Sequence, residues 1–220
     1  MDLSESILQF VAPQAFPLPR KVFAAVLKHN NILPGSRVLD VGCPSSSLTE
    51  RLQQLGVDAV GWHAVAPNRG DTETIVTQPT FPDYGNERAF DAIIIREHSE
   101  YNESLSSLEC QLLTAQLMAS LRPTGSLSFI QECPATLANS HQDVCWEKLF
   151  SSFPGSLISE HISVNSLWSN KRQAFELRQF RIPAEQIEAA EWNRIATSAL
   201  VHNTTCCDWA ARKEVTRRAA

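Results

Sequence analysis

Residues 36–67, SRVLDVGCPSSSLTERLQQLGVDAVGWHAVAP, constrain the fold more than any other part of the chain, because a single tight turn separates a strand pattern from a helix pattern. Val38, Leu39 and Val41 form a short apolar run that stops at Gly42, as a buried strand bounded by a turn does. Ser47 and Glu50 stand in capping-box spacing ahead of Leu52 and Leu55, and Gly56 falls where a left-handed helix stop belongs. Val57 to Trp62 supplies the next strand pattern. Strand, turn, helix and strand in this order open a nucleotide-type α/β domain.

The rest of the chain extends the same alternation. Pro19 opens a helix pattern in which Val22, Phe23, Val26 and Leu27 share a face, and Pro34-Gly35 closes the connection to the first strand. Leu105, Leu108, Leu112, Ala115 and Ala119 mark one face of a helix long enough to cross over a sheet. Trp146 to Phe150 reads as helix, and His161 to Trp168 with Ala174 to Arg181 reads as a hairpin around the polar turn Ser169-Asn170-Lys171. From Pro183 onward the pattern is helical.

With these elements in place, the chain resembles the class I S-adenosylmethionine-dependent methyltransferases. Their first motif, an apolar strand followed by Asp-Val-Gly-Cys-Gly-x-Gly, is matched by Val38-Leu39-Asp40-Val41-Gly42-Cys43, after which Pro44 and Ser46 take the places of the second and third glycines. Phe90-Asp91-Ala92-Ile93-Ile94-Ile95 is similar to the family's fourth strand, and Leu121-Arg122-Pro123-Thr124-Gly125 to its turn before strand five, Ser126 to Gln131. The resemblance implies an α/β, Rossmann-like, seven-stranded methyltransferase sheet, mostly parallel with a terminal antiparallel hairpin. It is expected to form a single domain over 1–220, with 1–34 as an N-terminal helical cap and 183–220 as a C-terminal helical extension.

The same resemblance implies S-adenosylmethionine as cofactor and Asp40, Gly42, Cys43, Pro44, Ser46 and His63 as the residues at its site. His63 takes the position at the end of strand two where the family keeps an acidic residue for the ribose hydroxyls. Near the adenine, after strand three, an acidic residue is replaced by Thr77-Gln78-Pro79-Thr80. Each departure weakens the site on physical grounds. Proline fixes φ near roughly -65° and removes an N–H donor, serine fills space that glycine leaves open, and a neutral imidazole accepts one hydrogen bond where a carboxylate accepts several. Methyl transfer makes light demands on a protein because the sulfonium is already activated and positioning supplies much of the rate. Glu97 and His98, just beyond strand four, are the candidates for acceptor chemistry.

Composition narrows the function further. A formal net charge of -5 over 220 residues disfavours a nucleic-acid-binding surface spread over the domain. Arg212, Lys213, Arg217 and Arg218 read as a solvated helical tail. The acidic Met1-Asp2-Leu3-Ser4-Glu5 start and the lack of a long apolar run predict a cytoplasmic protein with no membrane span. Cys43, Cys110, Cys133, Cys145, Cys206 and Cys207 are then reduced thiols, and His141 with Cys145 is too few ligands for a metal site. Two classes of function follow. One is a divergent methyltransferase acting on a small-molecule or protein acceptor through a weakened cofactor site; the other is an inactive methyltransferase-fold protein, a pseudoenzyme serving as an interaction or regulatory module with a protein partner.

Restoring both Pro44 and Ser46 to glycine is expected to raise affinity for S-adenosylmethionine or its demethylated product, measured calorimetrically. An unchanged or lower affinity in a folded P44G/S46G protein would show that these two positions do not limit the site.

Overall fold

The strand pattern at Val38–Val41 becomes β1 (Arg37–Val41), flanked in parallel by β2 (Asp58–His63) and β4 (Phe90–Arg96). Burial on both faces explains its apolar Val38, Leu39 and Val41, since a strand covered on both faces has no solvent side to make polar; Asp40 is the buried exception. The computed structural model describes residues 18–42, 47–63, 75–77, 89–96, 101, 105, 107–133, 140–165 and 172–198. Within these residues the hydrogen-bonded strand order is β3-β2-β1-β4-β5-β7-β6. Here β3 is Ile75–Thr77, β5 Leu121–Cys133, β6 Ser156–Asn165 and β7 Arg172–Arg181. Because β3 has only 3 residues, the sheet is carried by six strands of substantial length, with β3 a short parallel edge beside β2. The strands from β3 to β5 run parallel, while β7 is antiparallel to both β5 and β6.

Helices cover both faces. On one, α1 (Arg20–His29) buries Val22, Phe23, Val26 and Leu27 against Val38, Ile94, Ile162 and Leu177. This is the face that its 3.6-residue periodicity predicts, and each fully buried aliphatic side chain contributes on the order of 1.5–3 kcal/mol. The same layer holds Leu48 and Leu52 of α2 (Ser47–Gln54), which stops at Gly56 with φ 77°. On the other face, α3 (Leu108–Ala119) and α4 (Ser140–Ser151) pack with a helix over residues 189–198, which contributes Trp192 and Ala196.

Several boundaries and faces differ from the sequence reading. The α3 helix begins at Leu108, capped by Ser107, whose hydroxyl accepts the Cys110 N–H at 3.0 Å; Leu105 lies before it. Its buried residues are Cys110, Gln111, Leu113, Thr114, Ala115, Leu117 and Met118, whereas Leu108 is 43% exposed. A helix that is apolar almost all round has no single periodic face to read, so packing chooses. The hairpin strand β6 starts at Ser156, ahead of the expected His161, and the turn Ser169-Asn170-Lys171 lies outside the described residues. Residues 182–188 are irregular, so helix resumes at 189 and not at Pro183.

The largest local departure is at the start of β5. Phe90 pairs with Leu121 and Ala92 with Ser126, so residues 122–125 bulge opposite Asp91 alone. Asp91 holds this bulge: its carboxylate accepts the Arg37 N–H at 2.7 Å and the Arg122 guanidinium at 2.9 and 3.1 Å. A second anchor ties α1 to the sheet. The buried Asn30 Oδ1 accepts from the Ser126 and Ser128 hydroxyls at 2.5 and 2.8 Å and from Gln179 at 3.2 Å.

Gly125 closes the bulge where no side chain fits, since a Cβ there would lie 2.7 Å from the Arg122 carbonyl oxygen and 3.2 Å from that of Asp91. Both neighbours are backbone, so Gly125→Ala is expected to lower stability by about 1–3 kcal/mol in urea unfolding. A loss below about 0.5 kcal/mol would show that the bulge relaxes freely.

Candidate functional site

In an open α/β sheet, ligands bind beyond the carboxyl ends of the parallel strands. Three of the residues assigned to the cofactor site lie at that edge, on β1 and β2 or immediately after them. Gly42 follows β1 with φ 73°, a left-handed conformation that favours glycine, and its N–H donates to the Trp62 carbonyl at 2.9 Å. This sets the first residue of the turn level with His63, the last residue of β2, which pairs with Thr77 of β3. The His63 side chain, and Cys43, Pro44 and Ser46, lie outside the described residues; so do Glu97 and His98, which directly follow β4.

Asp40 is fully described. Its place on β1 sits between Gly61 of β2 and Ile94 of β4. Arg96 lies two residues past Ile94, hence on the same face of the sheet, since side chains repeat every second residue in a strand. The guanidinium reaches back over β1: Arg96 Nε donates to Asp40 Oδ1 at 3.2 Å and Nη2 to Oδ2 at 2.8 Å. Thr49, in the first turn of α2, donates its hydroxyl to Oδ2 at 3.3 Å. Asp40 and Thr49 are wholly buried and Arg96 is 8% exposed. The carboxylate expected to face a ligand is thus directed at two side chains of the protein itself.

Neither Arg96 nor Thr49 stood out in the sequence. The available signal was the single cation ending the apolar run Ile93-Ile94-Ile95-Arg96 and the single carboxylate of strand one. Only the parallel pairing of β1 with β4 turns those two positions into neighbours.

A second buried ion pair lies on β7, beside the carboxyl half of β5. Arg178 Nη2 bonds Glu176 Oε2, and the Arg178 guanidinium stacks 5.1 Å from the centre of the Trp146 ring of α4. Phe129 joins this layer at 4.5 Å from Trp146 and 4.8 Å from Tyr101. Glu176 also faces His161 of β6, with Nε2 to Oε1 at 3.9 Å. The aromatic surfaces offset part of the cost of burying these charges, and the pair neutralises them.

No protein-family model matches the chain, and neither does any curated protein. Solved structures do. A methyltransferase of Methanosarcina mazei, described as dependent on S-adenosylmethionine, is 12% identical with a TM-score of 0.50, over 71% of this chain and 97% of that one. The 1,6-didemethyltoxoflavin N1-methyltransferase of Burkholderia thailandensis, solved with bound S-adenosylhomocysteine, is 15% identical with a TM-score of 0.52, over 73% of this chain and 76% of that one. A precorrin 8w decarboxylase of Methanobacterium thermoautotrophicum is 10% identical with a TM-score of 0.51, over 76% of this chain and 92% of that one. The chain has the fold of the class I S-adenosylmethionine-dependent methyltransferases, with the antiparallel β5-β7-β6 end expected of it.

Burial pushes the Asp40 carboxyl above the ordinary aspartate range, against the opposing pull of the Arg96 charge and the Arg96 and Thr49 hydrogen bonds. A group whose folded pKa is raised favours folding below its unfolded pKa and loses that contribution as pH rises through the folded value. Arg96 limits the loss at neutral pH. Arg96→Met is therefore expected to cost about 3–5 kcal/mol at pH 7, because it strands a buried carboxylate. The cost should shrink as pH falls and Asp40 takes up a proton, and D40N/R96M should recover part of it. Denaturant unfolding of R96M across pH that shows a constant or growing deficit toward acid would contradict the assignment.

Proposed function

We propose that this chain is a methyltransferase-fold protein with a weakened S-adenosylmethionine site, a pseudoenzyme that serves as an interaction or regulatory module. The observation carrying this reading is the Asp40 carboxylate, whose two oxygens accept three hydrogen bonds from Arg96 and Thr49. A buried carboxylate bound bidentately by arginine has little left to offer a ligand, and displacing the guanidinium leaves a desolvated charge behind. The sequence adds independent losses in the same direction: Pro44 and Ser46 in the turn, His63 at the ribose position and Gln78-Pro79 near the adenine. Losses at separated contacts roughly add.

The cofactor, when bound, supplies an activated methyl group, and its holders on this reading are Gly42 through its backbone, His63 through its imidazole, and the turn of Cys43, Pro44 and Ser46. Asp40 supports that edge from beneath by fixing Arg96 at the end of β4. Glu97 and His98 follow Arg96 directly, and on the alternative reading, a divergent methyltransferase that is still active, they would meet a small-molecule or protein acceptor. No described helix is long and apolar enough to cross a membrane, which is compatible with the cytoplasmic location that the sequence leads us to propose.

Calorimetric titration of the purified chain with S-adenosylmethionine and S-adenosylhomocysteine tests the reading. The expected dissociation constants are weaker than about 0.1 mM, since two contact losses of ~1.4 kcal/mol each already amount to about a hundredfold. Binding at micromolar concentration or tighter would return the chain to the working methyltransferases, with His63 taking the ribose contact.

A further inference from the structure

The opposite edge of the sheet carries a cleft that none of the chemistry above uses. Its volume is about 410 Å³, and its walls are the connection from α1 to β1, the 122–125 bulge and the end of β7. Both walls of connecting chain are held in place by backbone bonds. Gly35 N–H donates to the Gly56 carbonyl at 2.7 Å and Ser36 N–H to that of Leu33 at 2.9 Å. Across the cleft, Thr124 N–H donates to the Pro183 carbonyl and Ile182 N–H to that of Gly125, each at 3.1 Å.

Two features distinguish this cleft from an ordinary surface groove. The first is conformational. Asn31, at φ 51°, is the left-handed stop of α1, with Ile32 N–H donating to the Leu27 carbonyl at 2.9 Å and Asn31 N–H to that of Lys28 at 3.2 Å, whereas Thr124, at φ 65° on the other wall, ends no helix. For a β-branched threonine that conformation costs on the order of 1–2 kcal/mol, and such strain persists where surrounding structure imposes it, as it does at binding sites. The second is electrostatic. Arg122 and Arg181 both line the cleft, yet each spends one nitrogen: Arg122 Nη1 binds Asp91, and Arg181 Nη2 donates to the His29 carbonyl at 3.0 Å. Among the described residues their remaining N–H donors have no partner. Asp91 offsets the charge of Arg122, while Arg181 bonds a neutral carbonyl, so the cleft keeps one uncompensated positive charge in a chain of net charge -5.

From this we infer that the amino edge of the sheet is a binding site for a small molecule bearing a phosphate group, held between Arg122 and Arg181. Guanidinium forks fixed by other bonds present their spare donors without losing further side-chain freedom, which favours oxyanions. Donors arriving from two walls suit a group with oxygens on several sides, a phosphate, better than a planar carboxylate that one fork satisfies. Asn31 adds a side-chain amide at the rim. The site is separated from the cofactor edge by the length of the parallel strands, and it stands whether or not the carboxyl edge binds S-adenosylmethionine.

The test is a titration of the isotope-labelled full chain with inorganic phosphate at constant ionic strength, followed by NMR through arginine Nε–H signals and the amides of 30–36 and 122–125. Saturable shifts confined to these groups are expected, with affinity reduced about tenfold or more in Arg181→Gln and partly kept in Arg181→Lys. Backbone spectra of both variants report whether they fold. No saturable shift in the wild type, equal shifts in Arg181→Gln, or an equal response to acetate would each overturn the assignment.

Discussion

Two opposite charges removed from water together, Asp40 at the end of β1 and Arg96 at the end of β4, set the character of the carboxyl edge. Neither is tolerable there alone. An isolated ionised carboxylate in an apolar layer costs far more than the pair gains by meeting, so each residue obliges the other to stay. The pair also fixes the register on which it depends, because β1 and β4 must align Asp40 with Ile94 for the guanidinium to reach back across one strand spacing. Thr49 extends the constraint to the first turn of α2, where the turn that would cradle a cofactor ends. The Asp40 carboxylate at this edge is thus already engaged by the protein itself.

The amino edge solves a different problem. There the connections must leave and re-enter a parallel sheet without burying unpaired backbone groups. Asp91 accepts from the Arg37 amide and the Arg122 guanidinium, and Asn30 gathers two serine hydroxyls and a glutamine amide onto one oxygen. These polar anchors join α1, β1, β4, β5 and β7 at points where hydrophobic packing alone would leave the bulge and the loop unspecified. The price is local strain at Thr124, held in left-handed conformation by the chain on either side.

Much of the architecture was legible in the residues. Val38, Leu39 and Val41 announce a strand buried on both faces, and Gly56 announces a helix stop, because each obeys a local rule that tertiary context does not change. The alternation in 174–181 foretells an antiparallel strand for the same reason. The buried face of α3 was not legible, since a helix apolar on nearly every side lets the packed layers decide which residues face the sheet. The bulge at 122–125 looked like a turn preceding β5. Four residues opposing Asp91 became part of the ladder only through pairing with β4, a partner about thirty residues away.

The sequence by itself determined the order of elements, the glycine that ends β1 and the proline and serine at positions 44 and 46 of the turn. These are matters of backbone freedom and periodicity, which reside in neighbouring residues. Only the tertiary structure decided that Asp40 faces Arg96, that Glu176 and Arg178 share an aromatic layer with Trp146, and that Arg122 and Arg181 line one cleft. Partners 56 residues apart, as Asp40 and Arg96 are, carry no shared local signature. Their meeting follows from strand order and register, and those are fixed by the whole sheet at once.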